Sequence, residues 1–324
     1  MHNATELKTL FEEYLQKEQF TNKPKNLYEP INYILQLGGK RFRPILVLLA
    51  YEMFQEKVES VLSLALSIEM FHNFSLVHDD IMDEANLRRG QATVHRKYGT
   101  NTGILAGDLM LIYCYQFIIQ NEFDNKDQIL KVFNQMCIDV CEGQHLDMEF
   151  EEELEITIPE YLEMIEKKTS VLIGAALQIG ALAGSASEKD AFHLYQYGKN
   201  LGIAFQIQDD VLDVFGSPEK FGKKWGGDII QGKKTYLYLK SKELLHKGQQ
   251  KEFDKIYMSQ NIEVDEKIRQ VKKIFEELNV LEYARQTQEA YAQLSESHLD
   301  NVNIPIEKKQ NLINMSRRLF EREI

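Results

Sequence analysis

Two five-residue segments carry most of the chemistry open to this chain: Asp79-Asp80-Ile81-Met82-Asp83 and, 130 residues later, Asp209-Asp210-Val211-Leu212-Asp213. Each is embedded in apolar sequence with helical spacing. Positions i and i+4 share a helix face, so Asp79 aligns with Asp83 and Asp209 with Asp213. At about 100° per residue, His72 joins the first stripe and Gln206 the second. The flanks, Phe71, Phe74 and Val77 in one case and Ile203, Ile207 and Val211 in the other, predict buried helices whose polar stripe faces a cavity. Carboxylates against an apolar wall are costly unless something positive neutralises them. Mg²⁺ prefers oxygen ligands and commonly shares its shell with substrate phosphates. The spacing therefore predicts a helical enzyme that holds a diphosphate through Mg²⁺.

Basic partners are grouped rather than scattered. Gly38-Gly39-Lys40-Arg41-Phe42-Arg43-Pro44 is a short loop leading into an apolar helix, with three cations in four residues. Arg offers a planar fork for phosphate and Lys a point charge, and a helix start adds free N–H groups. Arg88-Arg89-Gly90 follows the first acidic segment closely enough to reach what it holds, and Lys167-Lys168-Thr169 interrupts an apolar helix. After the second acidic segment come Gly222-Lys223, Gly226, Asp228 and Gly232-Lys233-Lys234-Thr235. This stretch is too irregular for a P-loop and follows no strand; it reads as a lid whose lysines, Lys223 and Lys233, close on a phosphate. Glu69-x-x-His72 and Glu142-x-x-His145 have the spacing of di-iron bundles, but that reading leaves both aspartate segments and every basic motif unexplained.

The elements that must position these groups are helices. Helical periodicity covers 5–18, 27–37, 44–54, 58–83, 103–121, 125–150, 158–184, 188–215 and 232–246, then 251–258, 262–277, 279–298 and 305–321; no segment alternates with period two. Only six prolines and 18 glycines in 324 residues favour long helices. Breaks fall at Gly38-Gly39, Arg89-Gly90, Pro159, Gly216-Ser217-Pro218 and Gly226-Gly227. The expected architecture is all-α: one domain over 1–324, a helical bundle around a central apolar crevice. A composition 44% hydrophobic and 27% charged is that of a soluble globular protein. A net charge of −12 argues against a nucleic-acid partner. No secretory leader and no membrane-spanning run is evident near the start. The three cysteines, Cys114, Cys137 and Cys141, read as reduced core thiols of a cytoplasmic protein. The glutamate run between 149 and 155 reads as a solvated helix end.

These motifs, in this order, resemble those of the trans-isoprenyl diphosphate synthases, the polyprenyl synthetase family. The resemblance spans about residue 35 to 240 and rests on Gly-Gly-Lys-Arg-x-Arg-Pro at 38–44, the first aspartate motif with Leu-Arg-Arg-Gly at 87–90, and Lys-Thr at 168–169. It continues through Phe-Gln at 205–206, the second aspartate motif, Gly-Lys-x-x-Gly-x-Asp at 222–228 and Gly-Lys-x-Thr at 232–235. The last 80 residues carry no such motif. The resemblance implies head-to-tail condensation of isopentenyl diphosphate with an allylic diphosphate (dimethylallyl, geranyl or farnesyl). It implies three Mg²⁺ ions, replaceable by Mn²⁺, with Asp79, Asp83 and Asp209 as direct ligands and Asp80, Asp210 and Asp213 in support. Arg88, Lys168 and Lys223 would contact the allylic diphosphate, and Lys40, Arg43, His72 and Arg89 would hold isopentenyl diphosphate. Thr169 and Gln206 would set oxygen dipoles near the developing cation. A homodimer is also implied. A terpene cyclase would not need Lys40, Arg43 and Arg89, and a non-catalytic subunit of a heteromeric synthase would typically have lost an aspartate motif. Phe74 before the first motif, the small Ser75 after it, and the absence of an insertion within the motif resemble short-chain synthases that make C20, with C15 second. Phe71 lies one turn deeper.

Overall fold

The computed structural model describes residues 1–153, 155–216 and 226–320. The architecture is all-α, as the missing period-two alternation predicts. Sixteen α-helices are described. They are α1 (Ala4–Lys17), α2 (Lys25–Gln36), α3 (Phe42–Glu52), α4 (Leu62–Met82), α5 (Val94–Tyr98), α6 (Thr100–Ile119), α7 (Lys126–Glu152) and α8 (Ile158–Ile165). Then follow α9 (Val171–Ala183), α10 (Glu188–Phe215), α11 (Gly227–Gln231), α12 (Tyr236–Leu244), α13 (Lys247–Tyr257), α14 (Val264–Glu277), α15 (Val280–Asp300) and α16 (Ile306–Phe320). The starts are chemically marked. Asn3 with Glu6, and Thr157 with Glu160, form reciprocal capping boxes, which satisfy N–H groups that a helix start leaves open.

Three departures from the periodicity reading matter. The expected helix over 158–184 is interrupted by a π-turn, Glu166–Ser170, which carries Lys167, Lys168 and Thr169. The expected helix over 232–246 begins only at Tyr236, because Gly232 takes a left-handed φ of 70° and ends α11 there. A two-stranded hairpin, β1 (Leu87–Arg88) and β2 (Gln91–Ala92), follows α4. It is too short to show a period. Its turn residues Arg89 and Gly90 both have positive φ, 53° and 76°, the signature of a two-residue type I′ turn.

The chain divides into two compact units. One comprises Met1–Met136, Ile173–Tyr195 and Asn301–Ile313; the other comprises Cys137–Leu172, Gln196–Asp300 and Asn314–Ile324. In the first, α4 is the core helix. Its residues from Leu64 to Phe71 are buried, and two interior polar side chains donate to carbonyls: Ser67 to that of Cys114 at 3.0 Å and Asn73 to that of Glu69 at 2.8 Å. In the second unit, Tyr161, Ile207, Leu237, Phe253, Tyr257 and Phe275 belong to one buried apolar cluster.

Two segments, Val58–Met82 and Thr100–Ile119, are long and apolar enough to cross a membrane by length and composition. The first is 72% buried within the fold and carries Asp79 and Asp80, which marks a core helix of a folded protein; the second is only 39% buried. Its exposed Ile104, Leu105, Ile112 and Ile119 form an apolar face without cover in the single chain. Of the three free thiols only Cys114 is buried. Cys137 is intermediate and Cys141 exposed, which corrects the expectation of three core thiols: on α7 the stripe at 137 and 141 faces away from the apolar side.

Candidate active site

In the first unit the aspartate motif occupies the end of α4. Glu84, at φ 50°, closes the helix; its N–H reaches the Ile81 carbonyl, and the Ala85 N–H reaches that of Asp80. This is a Schellman end, built here without glycine. Asp79, Asp80 and Asp83 therefore sit at the negative pole of a 21-residue helix. Carboxylates there are disfavoured by the helix dipole and call for cations. The hairpin supplies one. Arg88 Nε donates to both oxygens of Asp80 at 2.8 Å, and its Nη2 lies 3.6 Å from Asp79 Oδ2. Burial works against the Arg88 charge, but the hydrogen bond and charge of Asp80, with Asp79 and Asp83, raise its pKa.

Exposure separates the carboxylates. The Asp80 side chain is 1% exposed and locked to Arg88, whereas that of Asp79 is 20% exposed and Asp83 lies at the surface. Among the described residues no three His, Cys, Asp or Glu side chains close a metal site by themselves. The Glu-x-x-His pairs of a di-iron reading are engaged otherwise or exposed. Glu69 is taken by another partner, and Glu142 and His145 face solvent on α7.

Two turns up α4 the sign of the charge reverses. Of the three cations in 40–43, the structure removes one: Arg41 is buried, donating to Glu69 Oε1 at 2.6 Å and to the Leu35 carbonyl at 2.5 Å. Its left-handed backbone (φ 51°, ψ 32°) turns its side chain inward and starts α3 without a side-chain cap. Arg43 remains. Its Nη1 donates to His72 Nε2 at 3.1 Å, and its buried Nε has no hydrogen-bond partner. A guanidinium cannot accept, so His72 is neutral. Burial, then Arg43, Arg89, Arg88 and Arg41, hold its pKa well below the usual imidazole range. Burial likewise pushes Arg43 down to about 10, despite Glu69, and lowers Arg89.

Arg89 reaches this nest because the type I′ turn turns it back. Its Nη1 donates to the Gly38 carbonyl, and its guanidinium packs on Gly39, where a Cβ would meet Arg89 Cζ at 3.2 Å. Lys40 is exposed beside it. Arg43 and Arg89 thus lie near a neutral His72, with Glu69 as the nearby carboxylate. Desolvation disfavours the charged form of a buried guanidinium, a cost that a bound anion would offset.

The second unit holds the other motif. Asp209 is half-buried on α10. Asp210 is buried; its Oδ2 accepts from Tyr161 Oη and, at 3.3 Å, from the Tyr236 N–H, and its Oδ1 accepts from Gln206 Nε2 at 3.4 Å. Burial, with Asp228, pushes it up to about 8. Asp213 Oδ2 accepts the Asp228 N–H at 3.0 Å and its carbonyl the Gly226 N–H at 2.8 Å, so it anchors the start of α11. Lys168, on the π-turn, pairs with Asp147 of α7 at 2.5 Å, and Lys167 pairs with Glu142 and Glu163, both at 3.0 Å. Thr169 and Gln206 are half-buried. Lys233 is exposed, while its neighbour Lys234 caps the carbonyls of Phe150 and Glu151 at the end of α7. Lys223 lies outside the described residues. Tyr161 and Tyr236 were not singled out from the sequence; no local spacing links them to a carboxylate 49 and 26 residues away.

The chain-length candidates lie on α4 above the motif. Phe74 is buried against Phe71 (ring centroids 5.4 Å) and His78 (4.8 Å), and Phe71 continues to Phe133 at 5.7 Å. Ser75 turns its hydroxyl back to the His72 carbonyl at 2.9 Å.

Comparison with known proteins places the whole chain among related sequences and folds. The family model described as polyprenyl synthetase matches residues 24–278. A short chain isoprenyl diphosphate synthase of Methanocaldococcus jannaschii is 40% identical over 268 residues, 82% of this chain and 80% of that one. A geranylgeranyl pyrophosphate synthase of Geoglobus acetivorans is 38% identical over 96% of this chain and 94% of its own. A crystal structure of a geranylgeranyl pyrophosphate synthase superposes with a TM-score of 0.93, at 43% identity and full coverage of both chains.

Proposed function

The chain belongs to the polyprenyl synthetase family and is a trans-prenyltransferase, and on that premise we propose that it condenses isopentenyl diphosphate with an allylic diphosphate to give mainly the C20 diphosphate, with C15 as intermediate. The observation that carries this reading is on α4 itself. A cation nest around His72 and a carboxylate end at Asp79 share one helix face, about 10 Å apart along the axis at 1.5 Å per residue. One pole suits a bare diphosphate and the other a metal-bound one.

In this reading Asp79, Asp83 and Asp209 hold Mg²⁺, three ions in all, with Mn²⁺ able to substitute; Asp80 and Asp213 fix the geometry through Arg88 and α11. Held there, the ions would supply the positive charge that a leaving diphosphate needs. Arg88, Lys168, Lys223 and Lys233 would add positive charge to it, and Arg88 also lies 3.6 Å from Asp79. The allylic C–O bond breaks, the alkene of isopentenyl diphosphate forms the new C–C bond, and the released diphosphate takes the proton lost next. Thr169 and Gln206 direct oxygen dipoles at the developing cation, and the apolar walls exclude water. Lys40, Arg43, His72 and Arg89 orient isopentenyl diphosphate, a role a terpene cyclase lacks. The two units would act as one polyprenyl synthetase domain over 1–324. The exposed face of α6 supports a homodimer, and the free thiols support a reducing cytoplasm.

Product analysis of the purified chain with isopentenyl diphosphate, Mg²⁺ and each of the dimethylallyl, geranyl and farnesyl primers tests the proposal. A C20 main product is expected. Cyclic hydrocarbon, or chains of C30 and longer, would overturn it.

The two diphosphate positions separate by mutation. Arg43→Ala should chiefly raise KM for isopentenyl diphosphate, and Lys168→Ala that for the allylic substrate, each more than tenfold for a lost charge-assisted bond of about 2 kcal/mol. Equal effects of each variant on both substrates would contradict separate positions. Phe74→Ala should lengthen the product, because the ring it removes is braced by Phe71 and His78. An unchanged product would move the floor to Phe71.

A further inference from the structure

The π-turn Glu166–Ser170 holds one more residue than an α-turn, so relaxing it to α-helix would rotate Lys168 and Thr169 by about 100°. Its conformation needs an external hold, and two glycines stand where one is required. A Cβ on Gly143 of α7 would lie 2.2 Å from Lys168 N and 2.6 Å from Lys167 C; one on Gly202 of α10 would lie 2.8 Å from Ser170 Cα. The backbone of the turn is therefore in direct contact with both helices. Charges flank each glycine. On α7, Glu142 takes Lys167 at 3.0 Å and Asp147 takes Lys168 at 2.5 Å; on α10, Lys199 takes Glu166 at 2.9 Å. Ser170 Oγ donates to the Ile165 carbonyl at 3.2 Å across the turn.

We infer that Gly143 and Gly202 are positioning residues, a two-glycine clamp that holds the π-turn and so sets where Lys168 and Thr169 meet substrate. The substrate side of this inference rests on the proposed function; the clamp itself does not. An alanine at 143 must push α7 and the turn apart by about 1 Å to reach ordinary contact. Displacements of that size cost on the order of a hundredfold in rate.

The test compares full-length Gly143→Ala, Gly202→Ala and, as a control on α13 with open space around it, Gly248→Ala. Amide hydrogen exchange read by mass spectrometry should rise over 166–170 in the first two and not in the third. Turnover in Gly143→Ala should fall about a hundredfold, with KM raised for the allylic diphosphate and unchanged for isopentenyl diphosphate. Gly202→Ala, the smaller intrusion, serves if Gly143→Ala does not fold. Unchanged exchange at 166–170 in the folded variants overturns the clamp, as does a loss of turnover that raises both KM values alike. A wild-type protein without prenyltransferase activity would refute the proposed function while leaving the exchange result decisive for the clamp.

Discussion

Asp79→Ala should lower turnover on the order of a thousandfold or more while the protein keeps its unfolding midpoint. Both halves follow from where the residue sits. Asp79 is the partly exposed carboxylate at the negative end of α4, 3.6 Å from an Arg88 that is already bound through Asp80. Removing a partly exposed ion pair costs about 0–1 kcal/mol; relieving negative charge at a helix C-terminus returns about 0.3–1 kcal/mol. The two nearly cancel, so folding is indifferent. Catalysis is not, since neutralising a diphosphate leaving group is an electrostatic effect, and loss of one preorganised contact of that kind costs up to about a thousandfold. Asp209→Ala should behave likewise. The checks are steady-state kinetics with Mg²⁺ and a urea melt on the same sample. Near wild-type turnover in either variant would exclude that carboxylate as a ligand.

Glu69→Ala is expected to do the opposite kind of damage: a loss of about 3–5 kcal/mol in stability, a large share of the 5–15 kcal/mol of a typical domain. Glu69 and Arg41 side chains are each 3% exposed and 2.6 Å apart. Without Glu69 the Arg41 guanidinium is left buried, and Arg43 and Arg89 lose the carboxylate that opposes their desolvation. Replacing both partners with apolar residues (Arg41→Met with Glu69→Leu) should recover part of the loss, because an ion pair often only breaks even against well-packed apolar groups. An unchanged urea midpoint for Glu69→Ala would mean that the pair does not hold the nest together. Such a result would also reopen a ligand role for the Glu-x-x-His pair at 69–72.

The sequence by itself was sufficient for the helical class, since long apolar stripes of period 3.6 with few prolines leave a chain little alternative. It was also sufficient for the identity of the acidic and basic motifs, because i,i+4 carboxylates and clustered cations are local facts. Which cation does what was not local. Arg41 and Arg43 are two residues apart and identical in type, yet one is buried on Glu69 and the other faces His72 with an unbonded Nε; a left-handed backbone at 41 and a glutamate 28 residues away decide it. Arg88 reads from the sequence as a phosphate ligand alone, and the hairpin, too short for any periodicity, also ties it to Asp80. Asp210 matches Asp209 in sequence but is drawn into the core by Tyr161 and Tyr236. The π-turn under Lys168 follows from backbone contact with Gly143 and Gly202, 25 and 34 residues distant. Side-chain periodicity records which face of a helix is apolar; it does not record which partner arrives on that face. That depends on long-range packing, so the motifs could be read in order along the chain, while which of their side chains are tied to core partners waited for the tertiary structure.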